Sequence, residues 1–93
     1  MSQTTNQTRG SIWKYDLTHD GVIEMPAGAK VLSVGWQKPH VKLWALVDPE
    51  VPKVKRRVKL LSTGNEIVGE GWEFAGTALA PLDLVFHVFL EIV

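Results

Sequence analysis

The chain has 93 residues, and its ten Lys and Arg residues balance its ten Asp and Glu residues, so the formal charge is zero. This length supports one domain with a single modest core. A neutral chain lacks the overall field that attracts nucleic acid or membranes, so neither general nucleic-acid binding nor membrane association is expected. Cysteine is absent, which excludes disulfides, thiol nucleophiles and thiolate metal sites and favours a cytoplasmic protein.

The first ten residues, MSQTTNQTRG, are almost entirely polar. Such a segment buries too little apolar surface to offset the entropy lost on ordering, so residues 1–10 are predicted to be a disordered tail. They contain no apolar segment of the secretory type, and no run of about 18 apolar residues occurs elsewhere. Residues 11–93 are therefore expected to form a single soluble β domain.

Alternation of apolar and polar residues begins directly after the tail. Trp13, Tyr15 and Leu17 share one face of a predicted first strand. Residues 22–24 form a short extended piece, which the turn Met25-Pro26-Ala27-Gly28 ends, because proline removes a donor and glycine accepts unusual backbone angles.

Two alternating runs, residues 30–37 and 41–47, follow on either side of Lys38-Pro39-His40. Apolar side chains take every second position in both runs, and this pattern predicts a β-hairpin. Two prolines then interrupt the chain before the next run, residues 54–61.

The last segment, residues 84–93, is apolar on both faces, which predicts a central strand or one buried against another copy of the chain. Since no window has a sustained helical period, the chain is predicted to be all-β, a small meander of six or seven short strands forming a barrel or a two-sheet sandwich. The predicted core is the apolar side of the best alternating runs: Leu32, Val34, Trp36, Leu43, Ala45, Val47, Val58, Leu60, Phe86 and Val88.

Half of the positive charge lies in the seven residues Lys53-Val54-Lys55-Arg56-Arg57-Val58-Lys59. On a strand, Lys55, Arg57 and Lys59 project to one side, where they would hold a phosphate group. The alternative is an edge strand whose charges prevent pairing with other chains, which is the more frequent origin of such a pattern.

Four tryptophans is a high number for this length. A tryptophan beside a cation commonly holds a purine, by stacking and a charge-assisted hydrogen bond. Trp44 is the candidate for this role, because it lies opposite the apolar face of its strand and on the same side as Lys42. Trp13 and Trp72 are expected to pack in or around the core.

His87 is a candidate hydrogen-bond donor or base. No companion nucleophile accompanies it, and the alternative is a buried histidine bonded to the backbone. The three histidines lack ligand spacing, so neither a metal nor another cofactor is expected. Thr63-Gly64 is a glycine turn whose free N–H groups would cradle an anion, although a single pair of this kind is a weak signal.

Short motifs run in order along the predicted domain: Ile12-Trp13-Lys14-Tyr15, Met25-Pro26-Ala27-Gly28-Ala29, Gln37, Leu43-Trp44-Ala45-Leu46-Val47-Asp48, Arg57, Thr63-Gly64, Gly76-Thr77 and His87-Val88-Phe89. Their order and spacing resemble a family of small uncharacterised proteins of tailed phages and prophages. The chain departs from that family in having Phe86 before the histidine, where tryptophan is usual, and in continuing past Phe89. The resemblance implies a phage accessory protein without an assigned enzymatic activity.

The leading hypothesis is a non-enzymatic binding protein in the cytoplasm of the infected bacterial host. By analogy of size and setting, it is compared with the phage sponges that sequester nucleotide-derived signals of bacterial immune systems. Trp44 would stack on the base, Arg57 with Arg56 or Lys59 would pair with phosphate, and Thr63, Gly64 and His87 would supply hydrogen bonds, in a pocket formed by a homo-oligomer. The alternatives are a protein-interaction module that inhibits a host defence or regulatory protein, and a virion or assembly component.

Overall fold

The computed structural model of the chain describes residues 10–18 and 20–93. No helix occurs in these ranges, which hold seven β-strands: β1 (Ser11–Leu17), β2 (Gly21–Pro26), β3 (Lys30–Gln37), β4 (His40–Val47), β5 (Lys53–Ser62), β6 (Trp72–Leu79) and β7 (Val85–Glu91). The predicted all-β fold is confirmed. The predicted disordered tail lies outside the described residues, apart from Gly10.

The strands form two antiparallel sheets, one of three strands in the order β1-β4-β3 and one of four strands in the order β2-β5-β7-β6. Hairpins join β3 to β4 and β6 to β7, whereas β1 pairs with β4 and β2 with β5. The strand order is therefore not that of a simple meander. The sheets are not closed into a barrel and are consistent with a small two-sheet sandwich.

The core lies between the two sheets. Leu43, Ala45 and Val47 of β4 are buried in one cluster with Val88 and Leu90 of β7. Each fully buried Leu or Val side chain among them contributes about 1.5–3 kcal/mol to folding. The remaining predicted core residues, apart from Leu32, are also placed against this cluster, either buried or half-buried: Val34, Trp36, Val58, Leu60 and Phe86.

A β-bulge in β3 explains why Leu32 is not in the core. Val31 pairs with Ala45 and Ser33 pairs with Trp44, so Leu32 is an extra residue between them. An extra residue resets the alternation of a strand, so that Val31 and Val34 pack on the core while Leu32 is 46 % exposed. The prediction of a buried Leu32 is wrong because it assumed an uninterrupted period of two.

A second bulge interrupts β6 between Phe74 and Gly76, where β6 packs against β3 of the other sheet. A Cβ atom on Gly76 would lie 2.9 Å from Cβ of Val34. Real Cβ atoms do not approach each other so closely, and only glycine allows the two backbones to meet here. The open edges of the two sheets therefore come together at Gly76 and Val34.

β7 is the strand that joins the two halves of the four-stranded sheet, because it pairs with β5 on one side and with β6 on the other. The central-strand interpretation of the C-terminal segment is thus confirmed. One face of β7 is buried within the chain, at Val88 and Leu90, whereas Ile92 and Val93 beyond the strand are exposed. The homo-oligomer expected from this segment stays a prediction.

An ion pair joins β1 and β4 on the side of the three-stranded sheet that faces away from the core. Lys42 donates to the carboxylate of Asp16, its partner in the ladder. The side chain of Lys42 is only 8 % exposed, so its ammonium group depends on Asp16 for compensation. The hydrogen bond from Lys42 lowers the pKa of Asp16, and the charges of Lys42, His40 and Lys14 lower it further.

Gly76→Ala is expected to destabilise the protein by about 1–3 kcal/mol, because the added methyl group must push Val34 and β3 away from β6. Urea unfolding followed by circular dichroism measures the change. Gly35→Ala is the matched control: a Cβ atom there would lie 3.7 Å from Cζ3 of Trp44, an ordinary contact. Equal stability of the two variants would contradict the close approach at Gly76.

The stabilisation from Asp16 and Lys42 should be lost in acid. Because the folded-state pKa of Asp16 is lowered, this contribution is present above the ordinary value of 3.8 and disappears as the pH falls through the folded-state value below it. The melting temperature should therefore fall more steeply below about pH 4 in the native chain than in Asp16→Asn, which has no carboxyl group to titrate. Thermal unfolding followed at a series of pH values measures both slopes, and parallel slopes would remove Asp16 as a source of acid sensitivity.

Candidate functional site

The four-stranded sheet turns one face to the core and the other away from it. Since strand residues alternate between faces, the buried Val58, Val88 and Leu90 fix which neighbours point outward. We call this second surface the outer face, and the strands β5, β7 and β6 contribute to it Lys55, Arg57, Lys59, Leu61, Val85, His87, Phe89, Glu91, Trp72, Phe74, Thr77 and Leu79.

Trp72 lies on the outer face beside two cations of β5. The guanidinium carbon of Arg57 and the ammonium nitrogen of Lys59 each lie 5.2 Å from the centre of a Trp72 ring. Both distances are within the range of cation–π attraction, which is about 0.5–1 kcal/mol at exposed sites. A cavity of about 270 Å³ adjoins this group, and its walls are Asp20, Gly21, Val22, Arg57, Val58, Lys59 and Trp72.

Glu91 holds Arg57 in place at the end of β7. Its Oε1 accepts from the backbone N–H of Arg57 at 3.0 Å, and its Oε2 accepts from the guanidinium Nε at 3.1 Å. The backbone hydrogen bond is the main cause that lowers the pKa of Glu91, and the side-chain bond and the charges of Arg57 and Arg56 act in the same direction. Glu91 therefore stays ionised. Of the two cations beside Trp72, Arg57 is hydrogen-bonded to this carboxylate and Lys59 is not.

Asp20 performs a similar task on the opposite side of β5. Its Oδ1 accepts from the backbone N–H of Leu60 at 2.7 Å, just beyond the point where β2 begins at Gly21. A strand N–H without a partner would otherwise have to be hydrated. Glu91 thus replaces a backbone partner at Arg57, just before the β5–β7 ladder begins at Val58, and Asp20 replaces one at Leu60, beyond the end of the β2–β5 ladder.

An aromatic pair occupies the middle of the outer face. The rings of Phe74 and Phe89 lie 5.5 Å apart at 60° to each other, an edge-to-face contact. Phe74 is nevertheless 57 % exposed. An exposed ring between a cation group and a polar group is a surface on which a planar ligand can stack.

His87 lies half-buried between two threonines. Its Nε2 is 2.8 Å from Oγ1 of Thr63, and its Nδ1 is 3.0 Å from Oγ1 of Thr77. Each hydroxyl group can donate or accept, so the imidazole ring is held in both neutral tautomers. A histidine hydrogen-bonded to the backbone was the predicted alternative, whereas His87 is hydrogen-bonded to two side chains.

A second cavity of the outer face adjoins His87 and has a volume of about 230 Å³. Its walls are Leu61, Ser62, Thr63, Gly64, Asn65, Ile67, Phe74, His87 and Phe89. The turn that shapes it is closed by the backbone N–H of Asn65, which donates to Ser62 O at 3.0 Å, and by Asn65 Oδ1, which accepts from Ser62 N at 3.0 Å. Gly64 takes a left-handed φ of 98° in this turn, a conformation that glycine adopts without strain.

The structure brings together most of the predicted ligand-binding residues. Arg57 and Lys59 lie at one cavity of the outer face, and Thr63, Gly64 and His87 lie at the other. β5 lies between β2 and β7 in its sheet, but residues 53–57 pair only with β2, because the ladder to β7 begins at Val58. The edge-strand alternative for the basic run therefore stays a prediction.

Trp44 and Arg56 are not part of this group. Trp44 belongs to the three-stranded sheet, where its ladder partners are Lys14 and Ser33 and its ring lies beside Gly35. Arg56 alternates with Arg57 and points into the sandwich, where it is buried. In the sequence, the shared side of Arg56, Val58 and Leu60 already indicates this direction.

Trp72 is the functional candidate that the sequence interpretation assigned to packing. It is half-buried and its ring faces two cations, so it has the features that were expected of Trp44. The signal that could have found it is its register with β7, where it pairs with Glu91. A single sequence does not reveal that register.

Within residues 10–18 and 20–93, no three His, Asp or Glu side chains are grouped closely enough to hold a metal ion. The same part of the chain has no helix that is long and apolar enough to cross a membrane.

Comparisons with curated proteins and with solved structures find no match to the chain. A family model does match, over residues 9–93, and its description is a domain of unknown function, DUF7352. This match covers nearly the whole chain, including all seven strands and every residue of the outer face. The chain therefore belongs to the DUF7352 family.

Proposed function

We propose that the protein is a non-enzymatic binding protein and that the outer face holds a small anionic, nucleotide-like ligand. The observation that carries this proposal is the group of Trp72, Arg57 and Lys59, in which an aromatic ring and two cations adjoin one cavity. A ring of this kind stacks on a base, and the cations pair with phosphate.

The sizes of the two cavities favour a ligand with two chemically different ends. Each cavity, at about 270 and 230 Å³, is slightly smaller than the lower limit of about 300 Å³ for small-molecule pockets. Glu91, beside Trp72, and His87 are four positions apart on β7, which is about 13 Å along a strand. A ligand that reaches both groups would place its phosphate at Arg57 and Lys59 and its polar edge at His87 and Thr63.

The polar end of the outer face is suited to recognition. The ring of His87 is bonded to two hydroxyl groups that each donate or accept. Such a set can exchange one internal hydrogen bond for a bond to a ligand, whereas a base that activates water needs a free acceptor directed at that water.

We also propose what the ligand is and where in the cell the protein binds it. On the resemblance to tailed-phage and prophage proteins, the ligand is a nucleotide-derived immune signal, which the protein sequesters in the cytoplasm of the infected host. Two copies of the chain would enclose it, since an open face of this size leaves a nucleotide partly exposed.

A protein-interaction module is the second candidate, because leucines are exposed at the end of β6 and in the turn that leads to β7. Leu82 is 91 % exposed and Leu79 is 73 % exposed. Leu82 also has a left-handed φ of 63°, which is unfavourable for a residue with a Cβ atom. An apolar tip held in a strained conformation is a feature of contact surfaces for other proteins.

Trp72→Ala is expected to weaken nucleotide binding by about 1–3 kcal/mol through the loss of stacking. Arg57→Ala should weaken it by about 1.5–3 kcal/mol through the loss of a charge-assisted bond. Isothermal calorimetry with a panel of cyclic mono- and dinucleotides measures both changes, and circular dichroism verifies that the variants are folded.

The matched control is Trp44→Ala, which removes the same side chain from the other sheet and should leave the affinity unchanged. Lys38→Ala, in the β3–β4 turn, controls for the loss of one positive charge. If no nucleotide of the panel binds, or if Trp44→Ala weakens binding as much as Trp72→Ala, the outer face is not the site. Binding of a host protein that Leu82→Asp abolishes would instead support the second candidate.

A further inference from the structure

Arg56 is a buried cation that the outer face does not use. It lies on β5 and points to the face opposite to that of Arg57, and only 8 % of the residue is exposed. A guanidinium group carries five N–H donors and keeps its charge at all physiological pH values. In a buried position it is stable only when acceptors and negative charge surround it.

The contacts of Arg56 satisfy this requirement incompletely. Its Nε donates to the carbonyl oxygen of Glu91 at 2.9 Å. Its Nη1 faces Sδ of Met25 at 3.7 Å, which is a weak acceptor, and its Nη2 is 3.9 Å from Oε1 of Glu73, beyond hydrogen-bond length. The carboxylate of Glu91 is engaged by Arg57. Among the described residues, one oxygen atom therefore accepts from Arg56 within normal distance.

A cavity adjoins this guanidinium group. It has a volume of about 380 Å³ and lies where β3 and β6 begin, with walls formed by Ala29, Lys30, Val31, Arg56, Glu73, Phe74 and Ala75. Lys30 adds a second positive charge to it. Glu73 is the acidic residue of this wall, and its side chain is 60 % exposed. We call this space the Arg56 cavity.

We propose that the Arg56 cavity binds a small oxyanion, in the form of a phosphate or carboxylate group. The anion would accept from the Nη2 side of Arg56, where Glu73 is too distant to form a hydrogen bond, and Lys30 would attract it at the mouth. Glu73 compensates the charge loosely while the cavity is free and turns towards solvent when the anion enters. The site lies between the sheets and does not depend on the function proposed for the outer face.

Glu73 gives the proposal a test in which a variant gains binding. Inorganic phosphate is titrated into isotopically labelled protein at constant ionic strength, maintained with chloride, and the backbone amide shifts of Phe74 and Ala75 are followed. Glu73→Gln removes the competing carboxylate and should lower the dissociation constant by about two- to five-fold, as expected for one partly screened charge. Lys30→Gln should raise it by a similar factor, and Arg56→Lys, which loses the planar donor pair, should raise it further.

The dissociation constant of acetate is measured in the same way as that of phosphate, and the anion that binds more tightly identifies the group that the cavity selects. Glu50→Gln and Lys38→Gln change the charge equally at exposed loops and should leave the dissociation constant unaltered. Lys59→Gln, which removes one of the two cations that would pair with phosphate on the outer face, should also leave it unaltered, which separates this site from the outer face. The proposal is overturned if Glu73→Gln and Glu50→Gln have the same effect, or if neither the native chain nor Glu73→Gln binds either anion.

Discussion

Gly76 and Val34 touch at the place where the two sheets meet, and each lies shortly after a β-bulge. A bulge increases the local twist of a strand, so the extra residues Leu32 and Ala75 turn the edges of β3 and β6 towards each other. The absence of a side chain at Gly76 then allows contact between backbones. Both candidate sites depend on this arrangement, since Phe74, directly before the second bulge, borders the His87 cavity and the Arg56 cavity.

Glu91 connects the two sites electrostatically. Its carboxylate holds Arg57 on the outer face, while its carbonyl oxygen holds Arg56 inside the sandwich. Consecutive arginines on a strand must point in opposite directions, and one residue at the end of β7 positions both. The cost of placing two cations close together is thereby reduced by a single carboxylate whose pKa is lowered.

Much of the fold could be predicted because period-two alternation reports directly on burial. It identified the hairpin of β3 and β4 and placed Leu43, Ala45 and Val47 in the core. It failed at Leu32, since a bulge depends on how two edges pack and leaves no signature in one strand.

The candidate site was harder to predict because it depends on pairing between strands that are distant in sequence. The grouping of Arg57 and Lys59 followed from alternation within β5 alone. The position of Trp72 beside these cations did not follow from alternation, because predicting it requires knowing that β6 lies across β7 from β5. The neighbours of His87 illustrate the same limit: Thr63 and Thr77 reach it from different segments of the chain.

The pairing of β5 has a consequence for how the chain folds. β5 pairs with β2 along its first half and with β7 along its second half, and the two ladders share Val58. Contacts between segments that are distant in sequence form only after a long loop has closed. β5 needs two such closures, one to β2 before it in the chain and one to β7 after it. The four-stranded sheet is therefore complete only when both of these partners lie beside β5.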